Sequence, residues 1–342
     1  MRRALFALAL VPIAVASIAP PATDSPTRAP LPIVIAHRGA SGHLPEHTLA
    51  AYELAVRMGA DYIEPDLVRT KDGVLVARHE NEIGGTTDVA TKFADRRRTQ
   101  VVDGDTITGW FTEDFTLAEL KSLRTRERLA SRGHAHDGES QIPTFDEVLA
   151  LADRLGRERG RPVGVYPETK HPTHFRRIGL PLEEPLLAAL RRAKLDRADA
   201  PVFIQSFERG NLQALRGMTR VRLVQLVAPI GGPWGDSVSY ASMLTPEGLR
   251  AVRRYADGIG AEKRLVLGSD AAATPSSLVR EAHAAGLLVH VWTLRSDAPF
   301  LAARWGGDAT AEHKAFAAAG VDGIFTDFPD DGVRALRPAP PR

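Results

Sequence analysis

The sequence predicts an α/β protein whose strands close into a parallel (β/α)8 barrel. Short runs of β-branched and other apolar residues alternate with longer amphipathic patterns along most of the chain. The short runs are almost continuously apolar, as strands buried on both faces are. Eight such runs can be counted, which is the number that closes this kind of barrel. They begin at Ile33, Tyr62, Val163, Val202, Leu223, Gly258, Leu287 and Gly323.

An open, doubly wound sheet is the alternative architecture, because the same alternation of strands and helices would build either. Dinucleotide-binding members of that class place a Gly-x-Gly-x-x-Gly turn after the first strand, and this turn is absent here. The chain of 342 residues is long enough for one large barrel. We therefore favour the closed α/β arrangement, a (β/α)8 TIM barrel.

The helical patterns lie between the predicted strands. The first begins after Thr48, a favourable N-cap residue, and ends at Gly59. The second strand is predicted from Tyr62 to Arg69, and Lys71-Asp72-Gly73 turns the chain into a hairpin partner, Val74 to His79. Later helices are predicted at residues 145–155, 181–193, 211–216, 246–255, 275–285 and 309–319.

Residues 81–142 interrupt this alternation and are predicted to form a polar insertion after the hairpin of the second strand. The segment holds one amphipathic stretch, Leu117 to Leu129, and a run of Gly, His and Ser at 133–140. Connections of this length inside a compact fold are usually functional lids or mobile loops. The barrel domain is expected to span residues 33–335, followed by a tail at 336–342.

The N-terminal segment is predicted to be a signal peptide rather than part of the fold. Arg2 and Arg3 precede an apolar stretch, Ala4 to Ala19, which is too short to span a bilayer comfortably and is followed by small residues and prolines. Residues 1–22 are assigned to this peptide and 23–32 to a Pro-rich spacer; an uncleaved anchor is the alternative. We expect a secreted, periplasmic or cell-envelope protein with no stable membrane span after processing.

The composition excludes several classes of function. The chain has no cysteine, which rules out disulfides, thiol catalysis and thiolate metal sites. Its formal charge of +2 includes Arg2 and Arg3, and residues 1–22 hold no acid, so the processed chain is neutral. A neutral chain lacks the basic excess that binds nucleic acid.

Polar residues follow most of the predicted strands at their carboxyl ends. In a closed barrel these ends meet at one mouth, where the reacting groups sit. Glu64 and Asp66 lie two apart on one strand, and side chains at that spacing point to the same face. The residues at the strand ends are His37, Arg38, Glu64, Asp66, His79, Glu168, Lys170, Gln205, His290, Trp292 and Asp327.

This set of residues indicates phosphoryl hydrolysis at a divalent cation. Three carboxylates, Glu64, Asp66 and Glu168, suit Ca²⁺ or Mg²⁺ rather than a metal that prefers sulfur. Two histidines beside such a cation can remove a proton from one oxygen and supply one to another. Arg38 and Lys170 would hold phosphate oxygens, although Lys170 could instead pair with Glu168. The Walker phosphate loop is absent, which favours hydrolysis over transfer from a nucleoside triphosphate.

A series of motifs at fixed spacings resembles the glycerophosphodiester phosphodiesterase family, in its exported bacterial branch. The motifs are His37-Arg38-Gly39, Pro45-Glu46, Gly59-Ala60-Asp61-Tyr62-Ile63-Glu64-x-Asp66, Thr70-Lys71-Asp72-Gly73 and His79, then Tyr166-Pro167-Glu168-Thr169-Lys170, Gln205-Ser206-Phe207, Val291-Trp292-Thr293 and Gly323-Ile324-Phe325-Thr326-Asp327. The resemblance implies a (β/α)8 barrel that hydrolyses glycerophosphodiesters to glycerol 3-phosphate and an alcohol.

The resemblance also implies roles for individual residues. Glu64, Asp66 and Glu168 would hold a divalent cation, most simply Ca²⁺ with Mg²⁺ as the alternative, and His37 and His79 would act as acid and base. Candidate substrate contacts are Arg38, Lys170, Gln205, Phe207 and Trp292, of which the two aromatic residues equally suit a core position.

Two positions depart from the family pattern. His47 stands where the family usually has Asn, and Glu80 follows His79 where the family usually has Asp. Glu80 is expected to serve as an outward polar partner. The other histidines of the chain are expected at the surface or in loops: His43, His134, His136, His171, His174, His283 and His313.

Two other kinds of function remain open at this point. The same barrel could act as a phospholipase D on lysophospholipid or sphingomyelin, or as a hydrolase of wall glycerophosphate. A non-catalytic protein that binds phosphate esters is the third hypothesis, and it predicts a degraded site. The intact set of His37, Glu64, Asp66, His79 and Glu168 argues against that hypothesis.

Overall fold

The computed structural model describes residues 31–269 and 272–337. The predicted signal peptide, most of the spacer and most of the tail lie outside these residues. Within the described part of the chain, no helix is both long enough and apolar enough to cross a membrane.

The strands confirm the predicted barrel. The first barrel strand, β1, pairs in parallel with β2 on one side and with the last strand, β13, on the other, so the sheet closes on itself. In chain order the strands are β1 (Ile33–His37), β2 (Tyr62–Glu64), β3 (Asp66–Arg69), β4 (Leu75–Ala77), β5 (Arg98–Val102), β6 (Asp105–Gly109), β7 (Gly164–Val165), β8 (Glu168–Thr169), β9 (Phe203–Ser206), β10 (Arg222–Val227), β11 (Gly258–Glu262), β12 (Leu288–Leu294) and β13 (Gly323–Thr326).

Two of the eight barrel strands are interrupted near a proline. Pro65 separates β2 from β3, and Pro167 lies between β7 and β8. A proline has no backbone N–H to give to a neighbouring strand, so the ladder breaks there. The two halves continue together, since β2 pairs with β7 and β3 pairs with β8. The observed strands start within one residue of the predicted positions.

The helices cover the outside of the barrel. Helix α1 begins at the predicted N-cap, where the Thr48 hydroxyl accepts a hydrogen bond from the Ala51 backbone N–H. In chain order they are α1 (Leu49–Arg57), α2 (Val89–Lys92), α3 (Leu117–Ser122), α4 (Phe145–Glu158), α5 (Pro172–Arg177), α6 (Glu183–Arg192), α7 (Arg209–Arg216), α8 (Tyr240–Met243), α9 (Pro246–Val252), α10 (Lys263–Val266), α11 (Leu278–Ala284), α12 (Ala309–Ala318) and α13 (Pro329–Leu336).

A separate apolar cluster fills the inside of the barrel. It contains Ile35, Tyr166, Phe203, Val224 and Phe325. His290 was expected among the polar strand ends, but it lies within β12, and its Nδ1 is 2.7 Å from the Tyr166 hydroxyl. The interior is therefore packed, and polar chemistry is confined to the mouth.

The insertion contains more regular structure than the sequence predicted. Strands β5 and β6 form an antiparallel hairpin, and the predicted helix from Leu117 ends at Ser122 instead of Leu129. The chain leaves this helix to bridge Thr125 with Thr87. Residues 124–142 then run over the barrel mouth, and the contacts that hold them there belong to the site.

Candidate active site

The carboxyl ends of the barrel strands surround a pocket of about 140 Å³. A ligand pocket of this size accepts a small molecule, since pockets for drug-sized ligands are several times larger. The side chains at its wall include nine that the sequence suggested and four from strand ends or the barrel floor. They are His37, Arg38, Glu64, His79, Glu168, Lys170, Gln205, Phe207, Leu226, Trp292, Thr293, Arg295 and Phe325.

Three carboxylates come together at this mouth. Glu64, Asp66 and Glu168 each offer an oxygen, and the three oxygens lie within 4.8 Å of one another. Strand register explains the arrangement, because Glu64 is paired with His37 across β1 and β2 while Asp66 is paired with Glu168 across β3 and β8. All three side chains are buried. Within the described residues this is the only such acidic group found.

The buried carboxylates strongly perturb one another. Burial, followed by the charges of Asp66 and Glu168, raises the pKa of Glu64 well above its usual range. Burial and Asp66 also raise the pKa of Glu168 to about 7, against the opposing effect of Lys170. Burial alone would raise the pKa of Asp66, but Lys170 and the hydrogen bond from His47 hold it well below the usual range. Three acids this close repel one another when they are ionised, and Arg38 and Lys170 compensate for only part of their charge.

The donor set fits a hard divalent cation. All three side chains supply oxygen, which Ca²⁺ and Mg²⁺ prefer. Gln205 donates to Glu64 over 3.1 Å through its Nε2, and its own Oε1 is buried without a hydrogen-bond partner. A buried amide oxygen of this kind is a further potential ligand or water acceptor next to the carboxylates.

His37 lies at the end of β1 and is held by a carboxylate. Its Nδ1 donates a hydrogen bond of 2.6 Å to Oδ1 of Asp327, which follows β13. This bond leaves Nε2 available on the other side of the ring. Burial and the neighbouring Arg38 lower the pKa of His37 to about 4 despite the opposing effect of Asp327. His37 is therefore neutral near pH 7.

Arg38 is positioned by a left-handed backbone. Its φ of 61° turns the chain immediately after β1, and the Arg38 N–H then donates to Glu64 over 2.9 Å. The buried guanidinium donates to Glu46 over 2.9 Å and lies 3.4 Å from Asp66. Arg38 thus supplies a fixed positive charge beside the carboxylates.

His79 and Lys170 line the same pocket and lie next to each other. Lys170 Nζ is 3.0 Å from Glu168 and 3.5 Å from Nε2 of His79. The salt bridge that the sequence left as an alternative for Glu168 and Lys170 is therefore present, although Glu168 also belongs to the acidic cluster. His79 Nδ1 lies 2.8 Å from Glu80. Burial, with Arg38 and Lys170, lowers the pKa of His79 below its ordinary value.

Phe207 and Trp292 form an apolar wall of the pocket. Their ring centroids are 5.6 Å apart and nearly perpendicular. The indole N–H of Trp292 donates to the Gly260 carbonyl over 2.8 Å, which fixes the ring. Lys170 Nζ lies 5.9 Å from the centre of the Phe207 ring. The wall can pack against the carbon atoms of a ligand whose charged end faces Lys170.

Several residues near the site were not predicted. Arg132, from the insertion, donates to Asp327 over 2.6 Å, and Arg295 lies 2.9 Å from the same carboxylate. Arg128, also from the insertion, donates to Glu46 over 2.8 Å. Arg295 could have been suspected from the sequence because it directly follows β12. The two insertion arginines carry no local sequence signal.

The expectation for the remaining histidines was wrong at two positions, because His174 and His313 are buried within helices α5 and α12. His171 lies in the loop before α5, as expected, although its side chain is only 16% exposed. Each of the three has hydrogen-bond partners inside the protein. The expectation is confirmed for His43, His134, His136 and His283, which are exposed.

Comparison with known proteins identifies the family. The model of the glycerophosphoryl diester phosphodiesterase family matches residues 37–331, which covers most of the chain and every site residue described above. The chain belongs to this family. The family that the motifs predicted, and the assignment as a phosphodiesterase, are thereby confirmed.

Curated relatives match over nearly their whole length. A glycerophosphodiester phosphodiesterase of Arabidopsis thaliana is 36% identical over 325 residues, covering 90% of this chain and 86% of the relative. One from Haemophilus influenzae is 32% identical over 342 residues, covering 89% of this chain and 90% of the relative.

Solved structures of the family share the barrel. A glycerophosphodiester phosphodiesterase from Agrobacterium tumefaciens matches with a TM-score of 0.58 at 22% identity, covering 88% of this chain and 99% of that one. A phosphodiesterase from Oleispira antarctica, solved in complex with its product sn-glycerol-3-phosphate, matches with a TM-score of 0.60 at 21% identity, covering 90% and 98%. These structural similarities show the fold alone.

Proposed function

We propose that this enzyme hydrolyses glycerophosphodiesters to glycerol 3-phosphate and an alcohol at a divalent cation, with His37 and His79 as the acid and base. The observation that carries the proposal is the meeting of three carboxylates and two imidazoles at one small pocket, on residues that lie far apart in the sequence. The pocket is polar on the side of the carboxylates and apolar at Phe207 and Trp292. A glycerol phosphate group matches both sides.

Glu64, Asp66 and Glu168 would hold the cation, for which Ca²⁺ is the first choice and Mg²⁺ the alternative. When bound, the cation supplies charge neutralisation at phosphate oxygens. Arg38 and Lys170 add fixed positive charges on two sides of the same space. Together these groups stabilise the negative charge that builds up on phosphorus oxygens during displacement.

The two histidines that line the pocket move the protons of the reaction. One imidazole accepts the proton of the attacking hydroxyl, and the other donates a proton to the departing alcohol oxygen. Asp327 holds His37 by Nδ1, which leaves Nε2 of that ring available. Glu80 contacts His79 at Nδ1, and the Nε2 of His79 lies 3.5 Å from Lys170 Nζ at the pocket wall. As the family resemblance implies, the attacking hydroxyl is the free one next to the phosphate, so the alcohol leaves and a cyclic phosphate forms. One water then opens this ring, and the products are glycerol 3-phosphate and the alcohol.

The size of the pocket supports a water-soluble diester over a membrane lipid. A volume of about 140 Å³ holds the glycerol phosphate part, whereas diacyl or sphingoid chains would need an apolar groove continuous with it. The phospholipase D and wall-glycerophosphate hypotheses use the same chemistry. Their substrates are therefore included in the substrate test.

We also propose that the protein is exported and that residues 1–22 are removed. The support is the sequence pattern of Arg2, Arg3 and the short apolar stretch that follows. N-terminal sequencing of the protein recovered outside the cytoplasm of its host would test this. A full-length N-terminus on that material would support the uncleaved anchor instead.

The function is tested with a panel of soluble glycerophosphodiesters, lysophospholipid micelles, sphingomyelin and polymeric glycerophosphate. Release of glycerol 3-phosphate is measured with Ca²⁺, with Mg²⁺ and with chelator, together with the metal content of the purified protein. We expect turnover of soluble diesters that the chelator abolishes. His37→Ala and Glu64→Ala should each lower kcat by at least ~100-fold.

His174→Ala is the matched control, because it removes a buried histidine that contacts Glu113 outside the pocket. Unchanged turnover in both site variants would show that neither residue takes part in catalysis, whereas binding of the diesters without any turnover by the wild type would leave only a binding protein. Turnover of micellar lipid alone would favour the phospholipase D hypothesis.

A further inference from the structure

A line of four side chains runs from the insertion to His79. Asp103 Oδ2 lies 2.6 Å from His171 Nδ1, and His171 Nε2 lies 2.8 Å from Glu80 Oε2. The other oxygen of Glu80, Oε1, lies 2.8 Å from His79 Nδ1. Both ring nitrogens of His171 therefore face carboxylates, and an imidazole satisfies two acceptors at once only when it carries two protons.

The charges along this line alternate. Burial lowers the pKa of His171, but its hydrogen bonds to Asp103 and Glu80 outweigh burial and raise it to about 9. Burial raises the pKa of Glu80, yet the contacts with His171 and His79 bring it well below the usual range. At neutral pH, Asp103 and Glu80 are therefore carboxylates, His171 is an imidazolium and His79 is a neutral imidazole.

Left-handed backbone conformations place Asp103 and His171 in these contacts. Asp103 and Gly104 both have positive φ, 47° and 91°, and join paired residues Val102 and Asp105 in a two-residue hairpin turn. His171 also has a positive φ, 50°, at the start of α5. A left-handed backbone is uncommon for residues other than glycine. The fold retains two such residues where the insertion meets the barrel.

The hairpin tip is also held from its other side. A Cβ atom placed on Gly104 would lie 2.6 Å from the ring of Trp234, so the turn is in close contact with that side chain. Asp103 is thereby fixed between the loop after β10 and His171. The insertion therefore approaches His171 through a turn that is held by contacts on both sides, and not through a free loop.

We propose that His171 and Asp103 are positioning residues for His79 and act through Glu80. The inference rests on the proposed function, in which His79 is an acid or base. Glu80 accepts a hydrogen bond from the Nδ1–H of His79, so Nε2 is the unprotonated nitrogen, which lies beside Lys170 at the pocket wall. His171 occupies the second oxygen of Glu80, which prevents the carboxylate from rotating and offsets part of its negative charge. Asp103 keeps His171 protonated and ties the arrangement to the insertion.

The longer side chain of Glu80, compared with Asp, lets its carboxylate contact both His79 and His171. The carboxylate of Glu80 contacts one histidine from the hairpin and another from the start of α5. Aspartate, the usual family residue at this position, is shorter by one methylene and reaches less far from the backbone. The contact with His171 therefore depends on the longer side chain of Glu80. This contact is a structural reason for Glu at position 80, where the family usually has Asp.

Other charges surround this line and stay the same in every variant below. His79 is also near Arg38 and Glu46 after β1, Asp66 on β3 and Lys170 after β8. His171 is also near Lys170, and Glu208 before α7 is near both Asp103 and His171. Differences among variants can therefore be assigned to the substituted residue.

The test is an NMR titration of the His79 ring in the whole protein with excess Ca²⁺, alongside the pH profile of kcat. Glu80→Gln removes a negative charge beside His79, so the pKa of His79 should fall by about 1 unit or more. His171→Gln keeps a donor to Glu80 but removes the positive charge, so the pKa of His79 should rise by about half a unit. Asp103→Asn should shift it in the same direction as His171→Gln, by less.

The double variant decides whether His171 acts through Glu80. In Glu80→Gln, the further change His171→Gln should leave the pKa of His79 unmoved, because the intermediary carboxylate is gone. His174→Gln is the matched control, since it alters a buried histidine–glutamate contact on the same helix that does not reach the pocket. It should leave the titration of His79 as in the wild type.

Two results would overturn the proposal. One is an unchanged His79 titration in His171→Gln, and the other is an equal shift in the presence and absence of the Glu80 carboxylate. Failure of the proposed function is distinguished by His79→Ala. If that variant keeps full turnover, His79 is not the acid or base, whereas loss of turnover with unmoved titrations rejects only the positioning role.

Discussion

His47 Nε2 lies 2.9 Å from Oδ2 of Asp66, and both side chains are almost completely buried. The Tyr52 hydroxyl donates to the other ring nitrogen, Nδ1, over 2.7 Å. The His47 proton is therefore on Nε2 and is donated to the carboxylate. Burial lowers the pKa of His47 despite this bond, which favours the neutral ring. Position 47 has a φ of 56°, a region that Asn adopts readily, which explains why the family pattern has Asn there.

The contact between His47 and Asp66 predicts a loss of metal affinity in His47→Ala. A partner that orients a metal-binding carboxylate typically contributes ~10–100-fold to affinity. We expect the dissociation constant for Ca²⁺, measured by calorimetry, to rise by that factor. His47→Gln keeps an N–H donor of similar reach and should retain most of the affinity. Equal loss in both variants, or no loss in either, would contradict the role of the hydrogen bond.

The pair of His37 and Asp327 predicts a defect in kcat for Asp327→Asn. The carboxylate stabilises the charged form of the His37 ring, so its loss makes His37 a weaker proton acceptor. We expect kcat to fall by ~100-fold or more, with KM nearly unchanged, in steady-state kinetics.

Asp297→Asn is the control for that experiment. Asp297 accepts two hydrogen bonds from Arg132, the same arginine that binds Asp327, but it has no contact with His37. It should therefore keep most of the activity. A defect of the same size in both variants would mean that the arginine network matters and not the carboxylate on His37.

Much of the fold could be predicted because its causes are local. The apolar runs that become β1, β9, β10 and β13 are uninterrupted, and each strand began within one residue of its expected position. The hairpin of β5 and β6 was missed although it had a signal, since Asp103-Gly104 lies between strands of alternating character.

The candidate site was predictable only where a strand fixes the side chain. Glu64 and Asp66 lie two apart on one strand, so their shared direction follows from strand geometry. Arg132 lies 195 residues from its partner Asp327, and no local pattern places a loop residue on a distant carboxylate. The left-handed conformation of His171 also could not be predicted, because residues other than glycine rarely adopt it and no local pattern marks this position.

Arg132 predicts that the insertion is held closed over the mouth. Its side chain is 5% exposed and donates to the Ser41 carbonyl over 2.8 Å as well as to both carboxylates. Arg132→Met removes these bonds and leaves two carboxylates with fewer partners. We expect faster amide hydrogen exchange in residues 125–141 and a lower kcat.

Arg98→Met is the matched substitution for Arg132. It removes an arginine in β5 that binds Asp114 within the insertion and leaves the Arg132 contacts intact. Exchange in residues 125–141 should then stay as in the wild type. If Arg132→Met leaves exchange unchanged as well, the insertion is held closed by other contacts.

The acidic cluster predicts that the stability of the protein depends on its cation. A ligand that binds only the folded state raises the midpoint of thermal unfolding by an amount that grows with the logarithm of its concentration over the dissociation constant. We expect chelator to lower the Tm of the wild type and added Ca²⁺ to restore it. Asp66→Asn should show neither response in calorimetry. A Tm that ignores both chelator and Ca²⁺ in the wild type would count against a bound cation.

His171 predicts a specific dependence of stability on pH. Its folded pKa of about 9 lies above the ordinary value of 6.5, so the imidazolium stabilises the folded state. This contribution is complete below pH 6.5 and is lost as the pH rises through 9. We expect His171→Gln to be less stable than the wild type by ~1–3 kcal/mol at pH 6, with the difference much smaller at pH 9.5. Urea unfolding at both pH values measures this, and a difference that stays constant would show that the ring stabilises the fold by packing and not by charge.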